Sequence, residues 1–207
     1  MTTGGPVARI AEARPPAAPV SRGQVVRRDR ILDAAAERGA SAGFERVQMH
    51  DIARDAGVAI GTLYRYFPSK THLFAAVWEA HISRFIENEW PPAGSDPVAD
   101  VGERLVALGR RLLRRRRLCA AMIQASAATY AASATKEAEL AESELYRVIL
   151  RTLGRSAPTD EDHTIVRLLI YSWWGVLVSW VNEKTSRERA EAELRLAARL
   201  ILAPYKQ

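Results

Sequence analysis

The sequence predicts an all-α protein: a small N-terminal three-helix unit followed by a larger C-terminal helical bundle. No segment of its 207 residues alternates apolar and polar side chains as a half-buried strand does. Apolar residues instead recur three and four positions apart through nearly every long segment, the spacing of one helix face. The interruptions carry Pro, Gly and Ser, which stop helices and cap the next ones. No internal repeat is present.

Residues 1–21 contain Pro6, Pro15, Pro16 and Pro19 with Gly4 and Gly5, so they read as a disordered arm. A basic patch follows at Arg22, Arg27, Arg28 and Arg30. The first helix begins there, with Ile31, Ala34, Ala35 and Phe44 on its apolar face and Gly43 as its stop. Residues 49–56 form a short second helix. Gly57 supplies a tight turn, and Val58 plugs into the core beneath it. Residues 62–67 form a third short helix, ended by Pro68. Ser69 caps a fourth, running from Lys70 to about Glu89. After the break at residues 91–95, helices are expected at about 97–116, 118–131, 134–153, 161–182 and 187–203. The expected division is an arm at 1–21, a small helical domain at 22–69 and a larger helical domain at 70–207.

The composition is that of a globular chain, 48% hydrophobic and 26% charged. The net charge of +6 favours polyanionic partners. Residues 1–75 carry 11 Lys and Arg against 7 Asp and Glu, whereas residues 118–207 balance at 11 each, so any nucleic-acid-facing surface is expected in the N-terminal half. A single cysteine, Cys119, excludes an internal disulfide and fits a reducing, cytoplasmic setting. No uninterrupted apolar run is long enough to span a membrane and no signal peptide is evident, so no membrane partner is expected. The four histidines, His50, His72, His81 and His163, have no metal-ligand spacing, and no phosphate-binding glycine loop is present. Neither a cofactor, a metal nor a catalytic group is expected, and Cys119 reads as a structural thiol.

Residues 47–70 carry the most information. Two short helices joined by a Gly-containing turn make a helix-turn-helix, whose second helix enters the major groove of DNA. Ile52, Ala53, Val58, Leu63 and Phe67 fall where the two helices pack, and Ala53 is small enough to let them approach. The run from Gly61 to Lys70, Gly-Thr-Leu-Tyr-Arg-Tyr-Phe-Pro-Ser-Lys, resembles the end of the recognition helix and the start of helix four in the TetR family. Together with Val47-Gln48-Met49, it resembles the actinobacterial repressors of sterol catabolism within that family.

The resemblance implies a role for each matching residue. Ile60, Gly61, Thr62 and Tyr64 would face bases or lie against the groove, with Gly61 permitting close backbone approach and Ile60 touching a thymine methyl. Gln48, Met49 and His50 would begin helix two beside a phosphate. Tyr64, Tyr66 and Lys70 would hold phosphates, and Arg65 suits either task. Core placement also suits Tyr64 and Tyr66, a plain surface position suits His50, and local capping suits Thr62.

Three constellations lie outside this segment. The arginines at 110, 111 and 114–117 read chiefly as a solvated helix end, with direct DNA contact, an anionic ligand group or a neighbouring acidic helix as the alternatives. The nearly all-apolar helix 161–182 needs cover on several sides, and by resemblance it joins helix 187–203 in a dimer interface with Trp173, Trp174 and Trp180. Burial within one subunit is the other reading for each Trp. Phe85, Cys119, Met122, Ile123, Ser126, Tyr130 and Tyr146 suit a ligand cavity between the middle helices, or simple close packing.

The expected function is that of a homodimeric repressor released from a palindromic operator by a small, mostly hydrophobic effector. Helix four would carry the change to the DNA-binding unit. By resemblance, the effector is a sterol-derived acid or its coenzyme A thioester. A ligand-independent or activating DNA-binding regulator is the alternative.

Overall fold

In a computed structural model, residues 21–132 and 143–206 are described. The expected arm, apart from Ser21, and residues 134–142 of the expected helix 134–153 lie outside them. Among the described residues every regular element is helical. They are α1 (Arg22–Arg46), α2 (Met49–Asp55), α3 (Ile60–Tyr66), α4 (Lys70–Glu89), α5 (Pro97–Leu113), α6 (Arg116–Ala132), α7 (Glu144–Thr152), α8 (Asp160–Val181) and α9 (Arg187–Ile201), closed by a 3-10 turn at Ala203–Tyr205.

Local chemistry accounts for the helix ends. Ser21 and Gln24 make a reciprocal capping box at the start of α1. Gly43 turns out of the helix at φ 74°, so the regular part of α1 stops there and a kinked tail runs on to Arg46. Ser69, Asp96, Ser143, Thr159 and Ser186 each accept a backbone N–H at the start of their helices. α3 begins at Ile60, two residues earlier than expected, because Ala59 adopts the extended N-cap conformation and accepts from Thr62 N at 2.9 Å. Thr62 therefore lies inside the helix and does not cap it.

One apolar core runs from the small unit into the bundle. Ile31, Ile52 and Leu63 at one end connect through Phe74 and Leu118 to Met122, Ile149 and Trp173. α1 lies close against α4 and α6 because Gly39 leaves room: a Cβ there would stand 2.6 Å from the Phe74 ring and 3.0 Å from Leu118.

The arginine run is largely exposed, at Arg110, Arg114, Arg115 and Arg117, but it does more than end a helix. It straddles the α5–α6 junction and ties it to four other elements. Arg110 and Arg111 pair with Glu191 and Glu89, and Arg115 pairs with Glu37 at 2.5 Å. Arg116 donates to the Val181 carbonyl at 2.7 Å, and Arg117 donates to the Ser41 carbonyl at 2.9 Å. Glu191 accepts from both Arg110 and Arg187, and these bonds hold its carboxyl down to about 2.

α8 has 22 residues and a mean hydropathy of 1.4 across its most apolar stretch, enough to cross a membrane by length and composition. Polar residues interrupt the apolar run along the sequence, so no uninterrupted stretch shows there, without lowering the helix's average. Here one face, with Val166, Leu169, Trp173 and Leu177, is buried within the subunit. Leu168 and Tyr171 remain 52% and 44% exposed on the other.

The start of α8 also anchors the chain's C-terminal end. The Tyr205 hydroxyl donates to Asp162 at 2.6 Å, and the backbone N–H and hydroxyl of Thr159 both donate to it at 2.8 Å. These bonds, Tyr205's first, lower the Asp162 carboxyl from its ordinary 3.8 to about 2. A depressed carboxylate stabilises the fold above its unfolded value, and that contribution is lost as pH falls from 3.8 toward 2. Asp162→Asn is expected to lower the melting temperature at neutral pH and to make the acid-side decline shallower, as followed by circular dichroism. A decline as steep as in the wild type would place that acid sensitivity elsewhere.

Candidate nucleic-acid interface and effector cavity

The turn between α2 and α3 is built on Gly57. Its φ of 63° favours glycine, and a Cβ there would also meet the Arg30 guanidinium at 2.5 Å. Gly57 N donates to Arg54 O and Val58 N to Ala53 O, closing the turn at 3.0 and 2.9 Å. Ile52, Ala53, Leu63 and Phe67 are buried between the helices, and Val58 packs half-buried against them. Arg38 clamps Asp55, at the end of α2, through two bonds of 2.5 and 3.0 Å.

This packing turns one face of α3 outward. Ile60 and Tyr64 are 42% and 48% exposed, large fractions for such apolar side chains, and Gly61 and Arg65 are exposed beside them. Thr62 is half-buried. Gln48 and His50 are exposed at the start of α2, with His50 lying 3.4 Å from Asp51. A Cβ on Gly61 would meet nothing within 4 Å, so packing within the subunit does not account for that glycine.

Three residues expected on this face lie elsewhere. Tyr66 follows Leu63 by three positions and shares its buried side. It is 4% exposed, and its hydroxyl is enclosed without a hydrogen-bond partner among the described residues. Met49 is buried as the first core residue of α2, leaving only its backbone at the helix start. Lys70 turns its ammonium inward, donating to the Glu45 and Val47 carbonyls at 3.2 and 3.3 Å and lying 4.7 Å from the centre of the Phe44 ring. It stitches the start of α4 to the end of α1.

A cavity of about 330 Å³ opens between α4, α6, α7 and α8. Its walls are Trp78, Trp173, Trp174, Tyr130 and Tyr171 with Ile82, Leu145 and Ile170. Glu79, Ser126, Thr129 and Ser143 add polar groups. Ser126 and Tyr130 were expected there. Phe85, Cys119, Met122 and Ile123 are buried core residues instead, on the sides of their helices that face other helices. Burial pushes the Cys119 thiol up to about 12, so it stays protonated and inert. Tyr146 points away to His163, donating to its carbonyl at 3.1 Å and stacking on its ring.

Of the three tryptophans assigned to a dimer interface, Trp173 is buried in its own subunit, whereas Trp174 and Trp180 are half-buried. Trp173 is 1% exposed and donates its indole N–H to the Leu105 carbonyl at 3.1 Å. Trp174 packs edge-on against Trp78 in the cavity wall, and Trp180 lies over Gly109 of α5. The sequence hint that was missed is on α4, where Trp78 and Ile82 stand four residues apart on one face beside Glu79.

Known proteins share both halves of this arrangement. Residues 31–77 match the family model for bacterial regulatory proteins of the tetR family, and residues 94–201 match the model for the tetracyclin repressor-like C-terminal domain. The HTH-type transcriptional repressor KstR of Mycobacterium tuberculosis is 33% identical over 184 residues, covering 88% of this chain and 83% of its own. KstR of Mycolicibacterium smegmatis is 32% identical over 189 residues, covering 90% and 92%. A crystal structure of a TetR transcriptional regulator from Rhodococcus sp. RHA1 superposes with a TM-score of 0.76 at 40% identity, covering 87% of this chain and 99% of that one. The chain therefore belongs to the TetR family of bacterial transcriptional regulators and is no enzyme, a repressor-type protein homologous to KstR over most of its length.

Proposed function

We propose that this protein is a cytoplasmic homodimeric repressor that grips a palindromic operator with two copies of α3 and releases it when an apolar molecule occupies the cavity. In this reading residues 22–69 bind DNA and residues 70–207 bind the effector and the second subunit. Gln48, His50, Ile60, Gly61, Thr62, Tyr64 and Arg65 form the reading surface. The observation that carries the proposal is that the cavity's walls are also the supports of the reading unit. α4 and α6 both line the cavity, and both hold α1. α4 presses Phe74 against Gly39 and ties Arg84 to Asp33 at 3.0 Å. α6 ties Gln124 to Glu45 at 2.8 Å and Arg117 to the Ser41 carbonyl.

A ligand that separates α4 from α6 shifts α1, and with it the spacing of the two α3 helices. That spacing must be about one helical turn, roughly 34–36 Å, for both to enter the major groove. Release requires tighter effector binding to the DNA-incompetent spacing, and DNA then weakens the effector by the same factor. Leu168 and Tyr171 of α8 with Leu196 and Leu200 of α9 offer an exposed apolar stripe for the second subunit. The apolar walls and the homology to KstR both support a lipid or sterol-derived effector.

The reading is tested by fluorescence anisotropy on DNA from upstream of the protein's own gene. Binding is expected to fall with a log–log salt slope of about −0.9 per phosphate neutralised, and steroid ligands are expected to reverse it. Binding that no steroid reverses would leave a DNA-binding regulator without this effector class. Binding no tighter than to random DNA would overturn this operator assignment.

A further inference from the structure

The basic patch at the start of α1 has no part in the reading surface described above. Residues 21–30 hold Arg22, Arg27, Arg28 and Arg30 against one acid, Asp29. Other arginines of this half are tied to carboxylates: Arg38, farther along α1, holds Asp55, and Arg84 holds Asp33. Arg28 and Arg30 make no ion pair among the described residues. They stand instead at the two ends of α3. The Arg28 guanidinium lies over the Phe67 ring, 5.5 Å from its centre, where α3 stops. The Arg30 guanidinium fills the space over Gly57, in the turn that leads into α3, where a Cβ would stand 2.5 Å from it. Side chains two positions apart on a helix point about 200° apart, so one short stretch of α1 reaches both places. That stretch is firmly mounted, because Ile31 and Leu32 follow it directly and are buried in the core. Arg30 is exposed and Arg28 half-buried, so both can be approached from outside.

Resting on the reading of α3 as the helix that enters the major groove, we infer that Arg28 and Arg30 of α1 form a clamp for DNA phosphates, one at each end of α3. The major groove is about 12 Å wide. A seven-residue helix such as α3 is about 10 Å long and, with its side chains, about 10–12 Å across. It fills the groove, so the phosphates of the walls stand close to both of its ends. A cation mounted there meets them without any movement of α1. Arginine suits the task, because its planar guanidinium donates to phosphate oxygens in its plane while its face rests on an aromatic ring, as that of Arg28 does on Phe67. Phosphate contacts add affinity and fix register but carry no base information. The clamp therefore acts on any duplex, and the choice of sequence stays with the outward residues of α3.

The test titrates the full chain by fluorescence anisotropy, at several salt concentrations, against DNA from upstream of its own gene and against random DNA of the same length. Arg28→Met keeps an unbranched stem over Phe67, and Arg30→Gln keeps a donor over Gly57; each removes only the charge. Thermal melting is expected to stay near that of the wild type. Each variant is expected to bind both DNAs more weakly by the same factor, about tenfold. Its log–log salt slope is expected to become shallower by about 0.9 for each phosphate released, hence by about 1.8 for a dimer. Arg28→Lys and Arg30→Lys keep the charge and are expected to keep the slope. A slope unchanged in Arg28→Met or in Arg30→Gln overturns the clamp, and α3 remains the reading helix if the upstream DNA is still preferred. A loss confined to the upstream DNA also overturns it, because the arginines would then be reading bases. If the wild type binds neither DNA, the inference and the DNA-binding reading fall together.

Discussion

Gly61→Val is expected to abolish specific operator binding while leaving the fold intact. A Cβ at this position meets nothing within 4 Å in the subunit, and the residue lies in α3 without a left-handed φ. The free protein therefore has no packing or backbone reason to keep glycine there. Glycine costs a helix about 1 kcal/mol relative to alanine, and valine costs less than glycine, so the variant should melt at or above the wild-type temperature. On DNA the same open space is where the groove must come, flanked by the exposed Ile60 and Tyr64. Inserting methyl groups into a close contact costs about 1–3 kcal/mol, and a dimer incurs it at both half-sites. The expected loss of affinity is at least about 30-fold. Anisotropy titration alongside thermal melting decides it, and a Gly61→Val protein that binds the operator as tightly as wild type removes α3 from the reading surface.

Phe74→Ala should produce the largest loss of stability. The ring is fully buried, fills the space left by Gly39, and stands edge-on to Phe44 at 5.5 Å between ring centres. Truncating a buried phenylalanine costs about 3–5 kcal/mol, a large share of the roughly 5–15 kcal/mol that holds a domain together. At about 2–4 °C per kcal/mol for a chain of this size, the melting temperature is expected to fall by about 6–20 °C. The cavity left behind also loosens α1 on α4, so effector-driven release should weaken in the protein that stays folded at low temperature. Phe74→Leu should recover most of the stability. An Ala variant within a degree or two of wild type would show that the contact between α1 and α4 is not a mainstay of the fold.

The helix-turn-helix was legible because its determinants are local. Gly57 needs a left-handed φ, Ser69 caps α4, and Pro68 ends the helix before it; each acts within a few residues of itself. The cavity was not legible because it depends on which side of each helix faces which neighbour. Periodicity marks an apolar face on α6 but does not say that Ser126 and Tyr130 look into a cavity while Met122, one turn earlier, looks into the core. In α8 the adjacent Trp173 and Trp174 were assigned outward together, although a helix turns about 100° between them. The exposed stripe instead runs through Leu168 and Tyr171. The family motif names phosphate roles for Lys70 and Tyr66, whereas in the free subunit Lys70 donates to the end of α1 and Tyr66 is buried on the face it shares with Leu63.

The seam between α1 and its supports has an evolutionary consequence. No side chain of the outward face of α3 lines the cavity, so in the proposed reading the residues that choose a gene and those that choose a signal form disjoint sets. In this reading they communicate through the contacts of α1 with α4 and α6, among them Glu45–Gln124, Ser41–Arg117, Asp33–Arg84 and Gly39–Phe74. A lineage can thus acquire a new signal by rebuilding the cavity, or a new set of genes by rewriting the exposed residues of α3 and the start of α2. Neither change disturbs the other as long as that narrow seam stays as it is.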